Sequence, residues 1–143
     1  MTAAFKLTAP EPLERDVHEA CARALDALLQ RPAVWWPYPA GVTQLSPQQH
    51  AAYSRFGIKR GMPDLNVLYQ GRLYGIELKR PGKKPSKTRT VYTAKGSPRV
   101  LIGQEEMFPI LLAAGMVEIA IAHNVDEVLD HLARWQIPHR RFR

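Results

Sequence analysis

The sequence predicts one mixed α/β layer domain, and three observations carry that expectation. Apolar residues recur at three- and four-residue spacing over 13–29 and again over 125–135, the period of helices that bury one face. Two short runs, 64–69 and 72–79, read as strands joined by the dipeptide Gln70-Gly71, a tight hairpin connection. The chain has 143 residues, which suits a single core and leaves little room for a second.

Taken in order, residues 1–12 carry Pro10 and Pro12 and read as an N-terminal arm. The first helix is expected from Leu13 to Leu29, with Leu13, Val17, Cys21, Ala24 and Leu28 on its apolar stripe. Arg15, Asp16, Glu19, Arg23 and Asp26 fall on the opposite face. Residues 31–47 hold four prolines and read as a loop with one short strand at Val34–Trp36. Gly57 and Gly61 then bracket a basic turn, Ile58-Lys59-Arg60, before the hairpin. Residues 81–103 are polar, basic and rich in Gly, Pro, Ser and Thr, and read as mostly loop. Gln104–Ala114 reads as a helix stopped by Gly115, with Pro109 predicting either a kink or a later start. Val117–Ala122 reads as a buried strand. Asn124 with Glu127 resembles a capping box, opening a last helix that carries Val125, Val128, Leu129, Leu132 and Trp135 on one face. The domain proper spans 13–138, and 139–143 form a basic tail.

Composition narrows the function classes. Apolar residues are 45% of the chain, enough for a core. No run of the length needed to span a bilayer is present, and the N-terminus shows no apolar signal region, so no membrane association is expected. The single cysteine, Cys21, excludes an internal disulfide and a multi-cysteine zinc site. The expectation is a soluble protein of the reducing cytoplasm. Twenty Lys and Arg against 13 Asp and Glu give a net charge of +7, which favours polyphosphate partners. Arg80, Lys83, Lys84, Lys87, Arg89, Lys95 and Arg99 crowd one stretch, and Lys59 and Arg60 lie in the turn before the hairpin, so these nine are the candidate nucleic-acid contacts.

The segment with chemistry is Gly61-Met62-Pro63-Asp64 followed by Gly75-Ile76-Glu77-Leu78-Lys79. Side chains alternate along a strand, so Glu77 and Lys79 share a face and Leu78 points away. The hairpin turn lies at the far end, so Asp64 and Lys79 meet at the open end with Glu77 close by. Phosphodiester hydrolysis adds negative charge to an anionic phosphate. Two carboxylates can bind a hard divalent cation that offsets this charge, and a neighbouring ammonium can orient or deprotonate the attacking water.

Together with Gly57 and Gly61, the Pro63-Asp64 pair, Ile76-Glu77-Leu78-Lys79, Gln104 and Ala114-Gly115, the chain resembles the VRR-NUC group of PD-(D/E)xK nucleases. The resemblance covers residues 11–138. It implies a restriction-endonuclease-like mixed sheet flanked by helices, magnesium or manganese as cofactor, and cleavage of DNA. It implies Asp64, Glu77 and the Leu78 carbonyl as metal ligands, Lys79 as the group that positions or activates water, and Gln104 as support from the following helix. Small stand-alone members of this group look like dimers acting on branched DNA, so a homodimer specialised for junctions is one expectation. The long segment 85–103 departs from the pattern and reads as an insertion.

Many such nucleases also draw a glutamate from the first helix. Glu14 lies at the edge of the apolar stripe and Glu19 among the solvated charges, so Glu14 is the expected contributor. His18 follows Glu14 by one turn and reads as a surface or boundary residue that could line the site. Trp35, Trp36 and Tyr38 could stack on bases but fit packing beneath a loop better. Two rival functions share these features: a non-catalytic DNA-binding module and an RNA nuclease.

Overall fold

Val17, Cys21, Ala24, Leu25 and Leu28 line one side of the first helix, and that side needs an apolar partner. The computed structural model describes residues 13–38 and 46–141, and in it this side is buried against a sheet. The expected arm, residues 1–12, lies outside the described residues. In chain order the elements are α1 (Glu14–Leu28), β1 (Val34–Pro37), α2 (Pro47–Arg55), β2 (Leu65–Tyr69), β3 (Arg72–Leu78), β4 (Arg89–Tyr92), β5 (Pro98–Leu101), α3 (Gln104–Ala113), β6 (Glu118–Ala122) and α4 (Val125–Arg134).

Four strands form one mixed sheet in the order β1-β2-β3-β6. The first two pairings are antiparallel, and β3 runs parallel to β6. A parallel pair needs a crossover, and here the crossover carries β4, β5 and α3. Leu65 stands opposite Ile76 and Val67 opposite Tyr74, so these residues share one face. With Leu78 and Ala122 they form the core beneath α1 and α4, which supply Cys21, Leu25, Val128 and Leu132. Glu77 faces the other way, toward α3, where Gln104 meets it. The architecture is a mixed α/β sheet flanked by helices.

The periodic elements lie where the sequence puts them, within a residue or two. The Gln70-Gly71 turn has positive φ at both positions, 50° and 73°, the mirror-image geometry that matches strand twist. Other expectations need correction. Leu13 is 60% exposed at the N-cap and is not part of the buried stripe. Residues 81–103 are mostly loop as expected, but the loop also holds a short antiparallel hairpin, β4 with β5, apart from the main sheet. α3 starts at Gln104 and continues through Pro109, so the later start is not seen. Asn124 caps α4 through the Glu127 N–H, but the Glu127 carboxylate returns to His123 N at 2.7 Å and leaves the box open.

α2 was not anticipated. Ser46 Oγ accepts from Gln49 N and Gln49 Oε1 accepts from Ser46 N, a complete capping box with Pro47 in the first turn. Part of the expected basic tail is tied down. Gln30 N donates to Pro138 O and Arg140 N to Leu28 O, while 142–143 lie outside the described residues. Among the described residues no helix is long and apolar enough to cross a membrane.

Leu132 is fully buried between α4 and the sheet, so Leu132→Ala should lower unfolding free energy by about 2–5 kcal/mol. Leu13→Ala should change it by under about 1 kcal/mol. Urea denaturation of both variants checks the placement, and equal losses would contradict it.

Candidate active site

The site is assembled by the β2–β3 hairpin. Leu78 N donates to Asp64 Oδ2 at 2.8 Å, which pins the carboxylate to the open end of the hairpin. In an antiparallel ladder the N–H and C=O of one residue face the same neighbour, so the Leu78 carbonyl also faces the Asp64 side. The next residue alternates, and Lys79 N donates to Ala122 O of β6. With Leu65 opposite Ile76, the register extended by two places Pro63 opposite Leu78. Proline has no N–H, so the ladder offers the Leu78 carbonyl no donor there.

Glu77 is almost completely buried at 1% exposure. Its Oε1 receives two donors: Lys79 Nζ at 2.9 Å and Gln104 Nε2. Its Oε2 is buried without a hydrogen-bond donor. Burial pushes the Asp64 carboxyl up to about 6, opposed by its bond from Leu78 and by Lys79. Burial, with the Asp64 charge next, pushes Glu77 up to about 7, against the pull of Lys79 and Gln104. With both ionised, Lys79 alone does not balance the pair, and an oxygen atom that lacks a donor points to a missing positive charge.

A divalent cation fits that deficit. Asp64, the free oxygen of Glu77 and the Leu78 carbonyl are all hard oxygen donors, the class that magnesium and manganese take. Among the described residues no cluster of three or more His, Cys, Asp and Glu could cage a metal. Two carboxylates suffice for magnesium, which keeps several waters and shares its shell with substrate phosphates.

Gln104 is oriented by a contact the sequence did not reveal. Its Oε1 accepts from Ser86 N at 3.1 Å, which turns Nε2 toward Glu77. Ser86 Oγ accepts from Gln104 N at 3.1 Å and Ser86 O from Glu105 N at 3.0 Å, so Ser86 caps α3 from another segment. A side chain at Gly103 would run into the backbone of Ser86 and Lys87, so only glycine permits this approach. No local sequence pattern links positions 18 residues apart, and Ser86 was missed for that reason.

Helix α1 brings Glu14 near enough to Asp64 to raise its pKa, while Glu19 pairs with Arg15 and Arg23 on the solvated side. His18 is buried and feels the Glu77 charge, although desolvation dominates and lowers its pKa. Cys21 is core, its thiol pushed up to about 11 by burial. Trp35 packs against the core and donates to Asp26 Oδ1 at 2.9 Å, and Tyr38 Oη accepts from Lys59 N. Lys59, Arg60, Lys83, Lys84, Lys87, Arg89, Lys95 and Arg99 are all exposed, and Arg80 is half-buried. A groove of about 750 Å³ between α1 and residues 123–126 touches neither Asp64 nor Glu77 and takes no part in the site.

No protein-family model, curated protein or solved structure matches the chain. Function is therefore read from the geometry of the site.

The raised carboxyl pKa values have a consequence for stability. A carboxyl that holds its proton more tightly when folded favours the fold at low pH. That advantage is full below the ordinary values of 3.8 and 4.5 and is lost as pH rises through about 6 and about 7. The metal-free protein should lose melting temperature between pH 4.5 and 7.5 (roughly the span of those values), and Glu77→Gln should flatten that loss. Millimolar magnesium should raise the melting temperature at pH 8 far more than at pH 5. Thermal melts across pH read both effects, and an unchanged slope in Glu77→Gln would refute the pair as their source.

Proposed function

We propose that the chain is a nuclease of the PD-(D/E)xK type, in the VRR-NUC group, that hydrolyses DNA phosphodiesters with magnesium or manganese. One observation carries the reading: Asp64, Glu77 and Lys79 converge at the hairpin's open end around a buried carboxylate oxygen that has no donor. A DNA-binding module without catalysis gains nothing from a buried and a half-buried carboxylate set beside a polyanion.

Asp64, Glu77 and the Leu78 carbonyl would hold the cation. When bound, it supplies the charge that neutralises the phosphate and acidifies water. The protein's own groups do the rest. Lys79, held against Glu77 at 2.9 Å, keeps an ammonium at the edge of the site, where it orients the attacking water and offsets charge that builds on the phosphate. Gln104 keeps one Glu77 oxygen engaged and leaves the other free. Leu78 N holds Asp64 in register with Glu77. Glu14 adds a third negative charge from α1. The surrounding cations draw the DNA backbone in. A homodimer acting on junctions extends this reading from the resemblance alone.

Asp64→Ala, Glu77→Ala and Lys79→Ala should each cut cleavage by at least about 100-fold with the fold retained. Excess EDTA should abolish it. Glu14→Gln should slow single-turnover cleavage more than Glu19→Gln. The assay uses linear, flapped and four-way DNA beside single-stranded RNA, with sedimentation reporting the oligomer. Wild-type rates in Lys79→Ala, or full activity in EDTA, would refute the mechanism, and cleavage of RNA alone would reassign the substrate.

A further inference from the structure

The β4–β5 hairpin is inserted between the strand that carries Glu77 and the helix that carries Gln104. It pairs with no strand of the main sheet. From Lys83 to Gly103 the chain holds six cations, Lys83, Lys84, Lys87, Arg89, Lys95 and Arg99, and no Asp or Glu. A segment with that balance repels a basic partner and attracts a polyanion.

The two faces of the hairpin differ. Arg89 stands opposite Leu101 and Arg99 opposite Val91, so both arginines share one face at diagonal positions. Thr90, Tyr92, Pro98 and Val100 share the other face, which is uncharged. That face has no cover: Tyr92 is 71% exposed and Val100 61%. A lone two-stranded ribbon with an uncovered apolar face is marginal in water, so its exposure here calls for a binding partner.

The base of the ribbon is fixed to the catalytic framework. Besides the Ser86 bonds to α3, Thr88 Oγ1 accepts from Gly103 N at 3.1 Å and donates to Glu106 Oε2 at 2.6 Å. The ribbon therefore leaves from a point held relative to Gln104 and Glu77.

We propose that β4–β5 is a wing that enters the groove of double-stranded DNA on one side of the scissile phosphate, a specialisation that rests on the nuclease reading. The major groove admits a two-stranded ribbon, and valine and threonine methyl groups suit the thymine methyl at its floor. The long side chains of Arg89 and Arg99, with Lys95 at the tip, reach the phosphates on its walls. Single strands are bound by a concave track of several stacking aromatics. This ribbon offers no such track, since it carries one aromatic residue, Tyr92. Four residues per strand at about 3.3 Å each give a ribbon of about 13 Å, or about four base pairs at 3.4 Å.

The test is equilibrium binding by fluorescence anisotropy in EDTA, with duplexes of graded length and matched single strands. The wild-type protein is compared with a variant in which Gly-Gly replaces residues 91–99, leaving Ser86, Thr88 and Gly103 in place. The shortest duplex that binds at full affinity should drop by about four base pairs. The log–log salt slope should fall by about 0.9 for each phosphate the variant no longer neutralises, while single-strand affinity stays within about twofold. A double variant, Lys95→Ala with Arg99→Ala, keeps the hairpin intact and should lower the slope and the affinity while leaving the minimum duplex length unchanged. An equal drop in affinity for duplex and single strand, or an unchanged minimum length, would overturn the wing. Cleavage of the longest duplex in magnesium is measured in parallel: a wing-dependent binding length without cleavage overturns the nuclease reading and leaves the groove contact standing.

Discussion

Everything around the site follows from the cost of burying two carboxyls side by side. Glu77 is buried and Asp64 half-buried, desolvation opposes the ionisation of both, and the Asp64 charge further opposes that of Glu77. The chain meets that cost from three directions. The hairpin supplies a backbone donor, Leu78 N, to Asp64. Strand alternation supplies Lys79, and α3 supplies Gln104. One oxygen is left over, and it is the one that a cation would take. Such a pair weakens the fold when ionised, and a bound cation would offset that, so stability and the proposed activity would be linked through the same atoms.

This constraint also explains why the site needs a mixed sheet. Lys79 N is bonded to β6, which runs parallel to β3 and closes the side away from Asp64. The parallel pairing demands a crossover, and the crossover delivers α3 to the face where Glu77 points. Pro63 belongs to the same logic. It is fully buried and ends the antiparallel ladder where the Leu78 carbonyl would otherwise be engaged.

Local periodicity made α1, the β2–β3 hairpin, β6 and α4 legible, because each buries one face and its pattern records which. The pairing of Asp64 with Glu77 and Lys79 was legible too, since a tight turn fixes register and register fixes who meets. Three features were hidden for physical reasons. α2 has little apolar content, so its capping box at Ser46 was the only signal and it passed unread. The β4–β5 ribbon buries neither face fully, so burial leaves no alternation in its sequence. The Ser86–Gln104 contact joins distant segments through backbone atoms and a glycine approach, and neither has a side-chain signature. The choice of Glu14 over Glu19 came from helical angle alone; Glu14 is exposed at the start of α1, with a small raising effect on the Asp64 carboxyl.

If the proposed function holds, the position of the β4–β5 segment lets binding and chemistry be tuned apart. Bonds from Ser86 to Gln104 and Glu105, and from Thr88 to Gly103 and Glu106, tie the ends of the ribbon segment together at its base. Loop-closure entropy grows only slowly with length, so a segment closed in this way can lengthen or shrink at little cost to the core. The elements that hold Glu77 and Gln104 are then unaffected by what lies beyond the closure. On the proposed function, residues on the ribbon would change affinity and the length of duplex engaged, while Asp64, Glu77 and Lys79 keep their geometry. Only a change at the closure itself, at Ser86 or Gly103, would pass from the ribbon to the carboxylates, because Gln104 is bonded to both Ser86 and Glu77.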